Sequence, residues 1–199
     1  MQPFAPRSDM GVFAVFLVGF MGSGKTSVGQ ELARRLHWDF VDLDARIESR
    51  EHKSIPDIFR QDGESAFRTA ETSALRELTG SLQRDSVVSL GGGAFAQAMN
   101  RDLVHGWPTV FLDAPVDELW RRSSEDPIVR PLRKDREQFW RLHAERLPHY
   151  RQATITVVTS GRDIPSICGE IERTLDLGEF RSAAGRAPES ASSKRGGQE

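Results

Sequence analysis

Residues 19–26 have the types and the spacing that bind the phosphates of a nucleotide. They read G-F-M-G-S-G-K-T and satisfy the pattern G-x-x-x-x-G-K-[ST] at every fixed position. Glycines let the backbone bend so that its N–H groups face phosphate oxygens. In such a loop the Lys25 side chain lies along the β- and γ-phosphates, and the Thr26 hydroxyl faces Mg²⁺. The stretch therefore predicts a site for a nucleoside triphosphate with Mg²⁺.

Two carboxylates further along the chain could supply the acidic groups that phosphoryl transfer needs. Asp42 and Asp44 occur in the sequence V-D-L-D, and alternate residues of an extended segment point the same way. One acid could then hold Mg²⁺ while the other accepts the proton of the attacking hydroxyl. Asp42 is favoured for the metal because Asp44 is so near. Asp113, which ends the apolar run V-F-L-D, is the alternative ligand.

Three consecutive glycines, Gly91, Gly92 and Gly93, follow another apolar run. Glycines expose backbone amides and let a small molecule approach the chain closely. A plain tight turn needs one or two at most, so the triplet favours a small-molecule site.

The elements that must position these residues alternate between strands and helices. The apolar run before the phosphate loop is typical of a strand buried on both faces, and Val28, Leu32 and Leu36 recur after the loop at helical spacing. The predicted strands are residues 12–18, 39–42, 87–90, 109–112 and 154–158, and the further predicted helices are residues 65–79, 116–122, 136–145 and 165–175. This alternation predicts an α/β protein with three α/β/α layers around a mainly parallel, five-stranded sheet. Ligands of such sheets bind beyond the carboxyl ends of the strands.

Length and composition favour one domain that works on small molecules. The chain has 199 residues and a net charge of −2, which gives no reason to expect nucleic acid or an anionic membrane as a partner. Cys168 is the only cysteine, so no internal disulfide forms, and with five scattered histidines it makes no zinc pattern. The apolar stretch 10–21 is too short to cross a bilayer. We expect a cytoplasmic protein, since ATP is available in the cytoplasm. We also expect it to be a monomer.

The two ends of the chain differ from the rest. Residues 1–10 have two prolines and no periodicity, which predicts a flexible N-terminal extension. At the other end, residues 179–199 form a segment in which no aliphatic residue after Phe180 is larger than alanine. Such a segment cannot bury enough apolar surface to offset its ordering entropy, which predicts a disordered tail. Residues 11–178 remain as the folded domain.

Six stretches of the chain, taken in order, resemble the shikimate kinase family. They are G-F-M-G-S-G-K-T at 19–26, D-L-D at 42–44, I-F-R-Q-D-G-E-S-A-F-R at 58–68 followed by Glu71, G-G-G at 91–93, V-R-P-L at 129–132 and R-L-P-H-Y at 146–150. The D-G-E-x-x-F-R and R-x-P-x-Y patterns are seldom found together elsewhere. The resemblance implies a P-loop kinase, similar in fold to nucleoside monophosphate kinases. It also implies that MgATP is used to phosphorylate shikimate at its 3-hydroxyl, a step towards chorismate and the aromatic amino acids.

The resemblance further implies a role for each matching residue. ATP would be bound by Gly22, Ser23, Gly24, Lys25, Thr26, Ser27, Arg122, Arg130 and Pro165. Shikimate would be bound by Asp44, Phe59, Phe67, Arg68, Glu71, Gly91, Gly92, Gly93 and Arg146. The implied catalytic residues are Asp44, Lys25 and Arg130, and the implied ligands of one Mg²⁺ are Thr26 and Asp42.

Within these sets, the resemblance assigns particular tasks to a few side chains. Arg68 and Arg146 would hold the substrate carboxylate, because a planar guanidinium binds a carboxylate through two parallel hydrogen bonds. Glu71 would orient Arg68 within a helical substrate-binding segment at 43–72. Arg130 would reach the transferring phosphate from a mobile lid at 123–136. Arg122 and Pro165 would lie against adenine, and Asp44 would be the base.

Other functions stay open on the residues alone. A gluconate kinase or a nucleoside monophosphate kinase would share the phosphate loop, although the glycine triplet and the arginine pair suit a carboxylated polyol ring better. A ligand-sensing domain without turnover would keep the fold, although its catalytic residues need not survive as they do here. Taken singly, Arg68 could be a solvated helix residue, and Phe59 and Phe67 could be core residues.

Overall fold

The computed structural model describes residues 12–125 and 135–177. The predicted extension at 1–10, the predicted tail at 179–199 and Arg130 of the predicted lid lie outside these two ranges. Within the two ranges, no helix is both long and apolar enough to cross a membrane.

Five strands of the described chain form one sheet, and each neighbouring pair is parallel. The strands are β1 (Ala14–Val18), β2 (Asp39–Asp42), β3 (Ser86–Ser89), β4 (Thr109–Asp113) and β5 (Ile155–Val158). Their spatial order is β2-β3-β1-β4-β5, so β1 lies at the centre with later strands added on both sides. This reversal of strand order opens a crevice beyond the carboxyl ends of the strands. The predicted α/β class with a five-stranded parallel sheet is confirmed.

Helices connect the strands and bring side chains to that crevice. They are α1 (Lys25–Leu36), α2 (Leu43–Glu51), α3 (Ile55–Gln61), α4 (Gly63–Ser81), α5 (Ala98–Val104), α6 (Val116–Glu125), α7 (Arg136–Tyr150) and α8 (Ile164–Thr174), with a 3-10 turn at Ala94–Ala96. The substrate-binding segment expected at 43–72 corresponds to α2, α3 and the first half of α4.

Two hydrophobic clusters, one on each face of the sheet, explain why β1 is apolar throughout. Phe16 and Val18 belong to one cluster, whereas Val15 and Leu17 belong to the other. Successive side chains of a strand point to opposite faces, so a central strand covered by helices on both sides needs apolar residues at every position. The three-layer prediction is therefore confirmed by the two separate clusters.

Three helices of the structure have no bounds in the sequence-based prediction: α2 and α3, which lie in the helical segment expected at 43–72, and α5, which was not expected. They have seven to nine residues each, which is too short for a clear apolar period. Their caps are the stronger signal: Asp42 accepts hydrogen bonds from the N–H groups of Asp44 and Ala45, and Ser54 accepts one from the N–H of Asp57. Asp44 therefore lies in the first turn of α2, which corrects the extended geometry expected for the D-L-D sequence.

Candidate active site

The phosphate loop lies at the carboxyl end of β1 and leads directly into α1. Gly22 and Gly24 have φ angles of 80° and 89°, in the region that favours glycine. A Cβ on Gly22 would also lie 2.5 Å from a backbone oxygen of α6, so a larger residue does not fit there. The Lys25 ammonium donates hydrogen bonds to the carbonyl oxygens of Gly19 at 3.0 Å and Phe20 at 3.1 Å. These bonds hold the positive charge across the loop.

The amino end of α1 is suited to an anion. No side chain caps it and no acidic residue lies in its first turn, so its N–H groups and the helix dipole attract negative charge. A cavity of about 380 Å³ opens at this end. Seven predicted ATP-binding residues line that cavity, which we call the phosphate cavity: Gly22, Ser23, Gly24, Lys25, Thr26, Ser27 and Arg122.

Thr26 and Asp42, the predicted Mg²⁺ ligands, lie side by side in the phosphate cavity. The Thr26 hydroxyl donates a hydrogen bond to Oδ2 of Asp42 at 3.2 Å. The other oxygen, Oδ1, is occupied by the N–H groups of Asp44 at 3.0 Å and Ala45 at 3.3 Å. The helix cap thus fixes the carboxylate with Oδ2 towards Thr26. Asp113, the alternative ligand, is not among the residues that line this cavity.

A second cavity, of about 80 Å³, adjoins the first and is called the acceptor cavity here. All nine predicted substrate-binding residues line it: Asp44, Phe59, Phe67, Arg68, Glu71, Gly91, Gly92, Gly93 and Arg146. Asp44 and Gly92 line both cavities. The structure therefore brings the two predicted sets of residues together at one boundary.

Arg68 enters the acceptor cavity from α4 and is held by two carboxylates. Its Nη1 donates to Oε2 of Glu71 at 2.9 Å, and its Nη2 donates to Oε1 of Glu64 at 3.1 Å. A Cβ on Gly93 would lie only 2.5 Å from Nη1, so the guanidinium packs directly on that glycine. The Phe67 ring lies beneath it, with its centre 5.0 Å from Cζ of Arg68. These contacts fix the orientation of a guanidinium that can bind a carboxylate.

Arg146 reaches the same cavity from α7 and is only 7% exposed. Its Cζ lies 5.8 Å from the centre of the Phe20 ring. One turn later, the buried Tyr150 donates its hydroxyl to the carbonyl oxygen of Gly92. Burial raises the pKa of Tyr150 to about 12, although the Arg146 charge opposes this. The phenol therefore stays a hydrogen-bond donor at neutral pH and anchors the middle of the glycine triplet.

Asp44 and Glu71 pack against the same backbone position. A Cβ on Gly91 would lie 2.5 Å from Oδ1 of Asp44 and 3.1 Å from Oε1 of Glu71. Burial raises the pKa of Glu71 above its usual range; the Arg68 charge opposes the shift and the Asp44 charge adds to it. The first glycine of the triplet thus makes room for two acidic side chains at the boundary of the cavities.

Comparison with known proteins shows to which family this chain belongs. The family model for shikimate kinase matches residues 21–176. The chain belongs to the shikimate kinase family. A shikimate kinase of Synechococcus sp. (strain CC9605) is 44% identical to it over 166 residues, which cover 81% of this chain and 82% of that protein.

Solved structures of the family have the same fold. The shikimate kinase from Acinetobacter baumannii, solved in complex with shikimate, has a TM-score of 0.77 and 36% identity, covering 83% of this chain and 94% of that one. The shikimate kinase from Aquifex aeolicus has a TM-score of 0.73 and 32% identity, covering 84% of this chain and 98% of that one.

Of the two residues expected to contact adenine, Arg122 lines the phosphate cavity and Pro165 does not. Arg122 lines the phosphate cavity and donates to Oε1 of Glu118 at 2.6 Å and to the Thr159 hydroxyl at 3.2 Å. Pro165 is exposed at the start of α8 and does not line the cavity, whereas its neighbour Ile164 does. Arg130 lies outside the described residues.

Several residues of the two cavities are missing from the sequence-based prediction. They are Val28, Ser89, Leu90, Thr159, Arg162, Ile164 and Ile167 in the phosphate cavity and Met21 and Ile55 in the acceptor cavity. The rule that ligands bind beyond strand ends could have indicated Thr159, which directly follows β5. Ile55 carries no such signal, because α3 has no strand before it.

Proposed function

We propose that this protein transfers the γ-phosphoryl group of ATP to the 3-hydroxyl of shikimate and releases shikimate 3-phosphate and ADP. Membership of the shikimate kinase family supports this reaction. One observation carries it at the site: the phosphate cavity and the acceptor cavity share Asp44 and Gly92. A phosphoryl donor and an acceptor hydroxyl held in adjoining cavities can approach in line, which removes much of the entropic barrier to transfer.

The charges of the acceptor cavity fit a small carboxylate. Arg68 and Arg146 supply guanidinium groups to a cavity whose other walls include aromatic rings and glycine backbone. Glu71 and Glu64 occupy one hydrogen on each terminal nitrogen of Arg68, which leaves further N–H groups to donate to a substrate. We infer that these arginines hold the shikimate carboxylate and so direct the ring hydroxyls towards Asp44.

Asp44 is the proposed base because it lies at the boundary of the cavities. A general base must come within hydrogen-bond reach of the proton that it removes. The first turn of α2 holds Asp44 there, since its N–H binds the capping carboxylate of Asp42 at 3.0 Å. We propose that Asp44 accepts the proton of the 3-hydroxyl as the phosphoryl group is transferred, while Lys25 stabilises charge on the phosphates.

The oxygens of Thr26 and Asp42 fit one Mg²⁺ ion. In the described part of the chain, no group of three or more His, Cys, Asp or Glu side chains is placed to hold a metal. Mg²⁺ differs from metals that need such a group, because it is usually held by one or two protein oxygens together with phosphates and water. We propose that Thr26 and Asp42 would hold Mg²⁺, whose charge lowers the cost of negative charge building up on the phosphates.

Further parts of the proposal come from the resemblance. Arg130 would reach the transferring phosphate from a lid at 123–136, and Arg122 and Pro165 would contact adenine. The protein would act as a cytoplasmic monomer with a folded domain at 11–178. A lid that closes over both substrates would exclude water, which could otherwise accept the phosphoryl group.

An ADP-release assay with purified protein tests the proposed function. Shikimate, quinate, gluconate and nucleoside monophosphates are compared as acceptors, and we expect efficient turnover with shikimate alone. Preference for gluconate or for a nucleotide would support the other kinases, and no turnover with any acceptor would support a ligand-sensing domain. The family match favours neither of these alternatives.

The role of Asp44 is tested by Asp44→Asn, which keeps the shape of the side chain but removes the base. We expect kcat to fall at least ~10²-fold while ATP binding is largely kept. Near-normal turnover in this variant would rule out the assigned role.

Arg68→Lys should mainly raise the KM for shikimate, because an ammonium cannot form two parallel hydrogen bonds to a carboxylate.

A further inference from the structure

Gln97 makes a hydrogen bond into the acceptor cavity although it does not line it. It follows the 3-10 turn after the glycine triplet and precedes α5. Its side-chain amide, Nε2, donates to Oε2 of Glu71 at 2.7 Å across 26 positions of the chain. Although Gln97 is the N-cap residue of α5, its side chain makes no cap hydrogen bond to that helix. The side-chain amide of Gln97 therefore donates its hydrogen bond to Glu71 and not to the backbone of α5.

One carboxylate oxygen of Glu71 accepts hydrogen bonds from two side chains. Its Oε2 accepts hydrogen bonds from Gln97 at 2.7 Å and from Nη1 of Arg68 at 2.9 Å. Its Oε1 is buried without a hydrogen-bond partner among the described residues and lies next to the Gly91 position. Glu71 itself is 0% exposed. With both donors on Oε2, the buried carboxylate is held in one orientation towards Arg68.

We propose that Gln97 is a positioning residue for the substrate carboxylate. It holds Oε2 of Glu71 at the point where that oxygen also binds Arg68, and so fixes the direction in which the Arg68 guanidinium faces the acceptor cavity. An uncharged amide suits this task because it orients the carboxylate without neutralising it. Glu71 thus keeps its full attraction for Arg68, whereas a lysine at position 97 would compete with Arg68 for Glu71.

The inference rests on the proposed function, and Gln97→Met tests it. Methionine has nearly the length and volume of glutamine but no donor. Because Gln97 acts on the substrate only through Glu71 and Arg68, only part of the worth of a hydrogen bond to a charged group is lost, and we expect the KM for shikimate to rise about 5- to 20-fold. The KM for ATP and kcat should stay within about twofold, because the phosphate cavity keeps all its contacts. Gln30→Met, at an exposed position of α1, is the matched control and should change neither constant.

Two further variants separate positioning from a general structural role. Gln97→Glu keeps the shape but places a second negative charge against Glu71, so its KM for shikimate should exceed that of Gln97→Met. In a Glu71→Ala background, Gln97→Met should have no further effect on that KM, because the acceptor of its hydrogen bond is gone. Shikimate affinity measured by calorimetry, with ATP absent, should follow the same order.

The results of these measurements distinguish a failure of the proposed function from a failure of the inference about Gln97. If wild-type protein does not phosphorylate shikimate, the proposed function fails and the inference fails with it. If wild-type protein is active and Gln97→Met leaves the shikimate KM unchanged, only the inference is overturned. It is also overturned if both KM values rise together with a lower melting temperature, or if Gln97→Met acts equally strongly in the Glu71→Ala background.

Discussion

Gly93→Ala is the sharpest test of how the acceptor cavity holds a carboxylate. The added Cβ would lie 2.5 Å from Nη1, 2.7 Å from Nη2 and 2.8 Å from Cζ of Arg68. All three atoms belong to the end of one flexible side chain, and the φ angle of Gly93 is −107°, which alanine adopts without strain. The protein can therefore fold with alanine at this position, provided that the Arg68 guanidinium moves.

The size of the effect follows from these distances. Non-bonded heavy atoms are in comfortable contact at about 3.5 Å, so the guanidinium must move by roughly 1 Å. Its hydrogen bond to Glu71 is 2.9 Å long, so a movement of this size away from Glu71 takes it beyond hydrogen-bond range. If the same movement costs one charge-assisted hydrogen bond to the substrate, about 1.5–3 kcal/mol is lost, which is roughly a 10- to 100-fold rise in the KM for shikimate.

The assay couples ADP release to NADH oxidation and measures KM for shikimate and for ATP in the same preparation. Because the clash is relieved by a side-chain movement, we expect the melting temperature to change little. Gly80→Ala is the matched control, since a Cβ there meets nothing within 4 Å. It should leave both KM values unchanged and stabilise α4 by up to about 1 kcal/mol, because alanine favours helix more than glycine does.

A well-folded Gly93→Ala protein with an unchanged KM for shikimate would refute the assignment of Arg68 to the substrate carboxylate. An equal rise in the KM for ATP would also count against it. The phosphate cavity has neither Arg68 nor Gly93 in its walls, so a local change at Gly93 should not reach ATP.

Three other predictions concern parts of the molecule that the first does not test. Tyr150→Phe removes the donor to the Gly92 carbonyl and should lower the free energy of unfolding in urea by about 1–3 kcal/mol, whereas an unchanged value would mean that the carbonyl finds another partner. Thr26→Val should raise the Mg²⁺ concentration for half-maximal activity by at least about tenfold, and EDTA should abolish turnover; equal Mg²⁺ dependence in both proteins would exclude Thr26 as a ligand. Burial raises the pKa of the Cys168 thiol from 9.0 to about 11, so the stability due to its protonated form is intact below pH 9 and is lost as the pH rises through 11. At pH 8 this thiol should therefore react with Ellman's reagent only as fast as the protein unfolds, and immediate reaction in native buffer would contradict its burial.

The fold follows closely from patterns that are local in the chain. All five predicted strands are present within two residues of their expected bounds. The central strand is a continuous apolar run buried on both faces, whereas β2 and β3 each have two apolar residues between polar ends. The short helices α2, α3 and α5 were missed because seven to nine residues contain too few turns for a clear period. Asp42 and Ser54, which cap two of them, were the available signals.

The phosphate loop and the acceptor cavity differ in how far the sequence alone predicts them. The phosphate loop is continuous in sequence, so its glycines, Lys25 and Thr26 must lie together wherever the strand ends and the helix begins. The acceptor cavity is assembled from α2, α4, α7 and the glycine triplet, and its residues were named through the resemblance to a family. The residues alone left Arg68 open as a solvated helix residue.

What the sequence by itself determined is the chemistry of each segment: a phosphate-binding turn, a pair of acids near a strand end, and glycines that admit a ligand. Only the tertiary structure decided which of these groups meet. It placed Asp44 in a helix and beside Glu71, left Asp113 out of the lining of the phosphate cavity, and joined Gln97 to Glu71. The physical reason is that a backbone turn depends on neighbouring φ and ψ angles, whereas a side-chain contact between distant segments depends on how helices pack over the sheet, and residue spacing does not encode that packing.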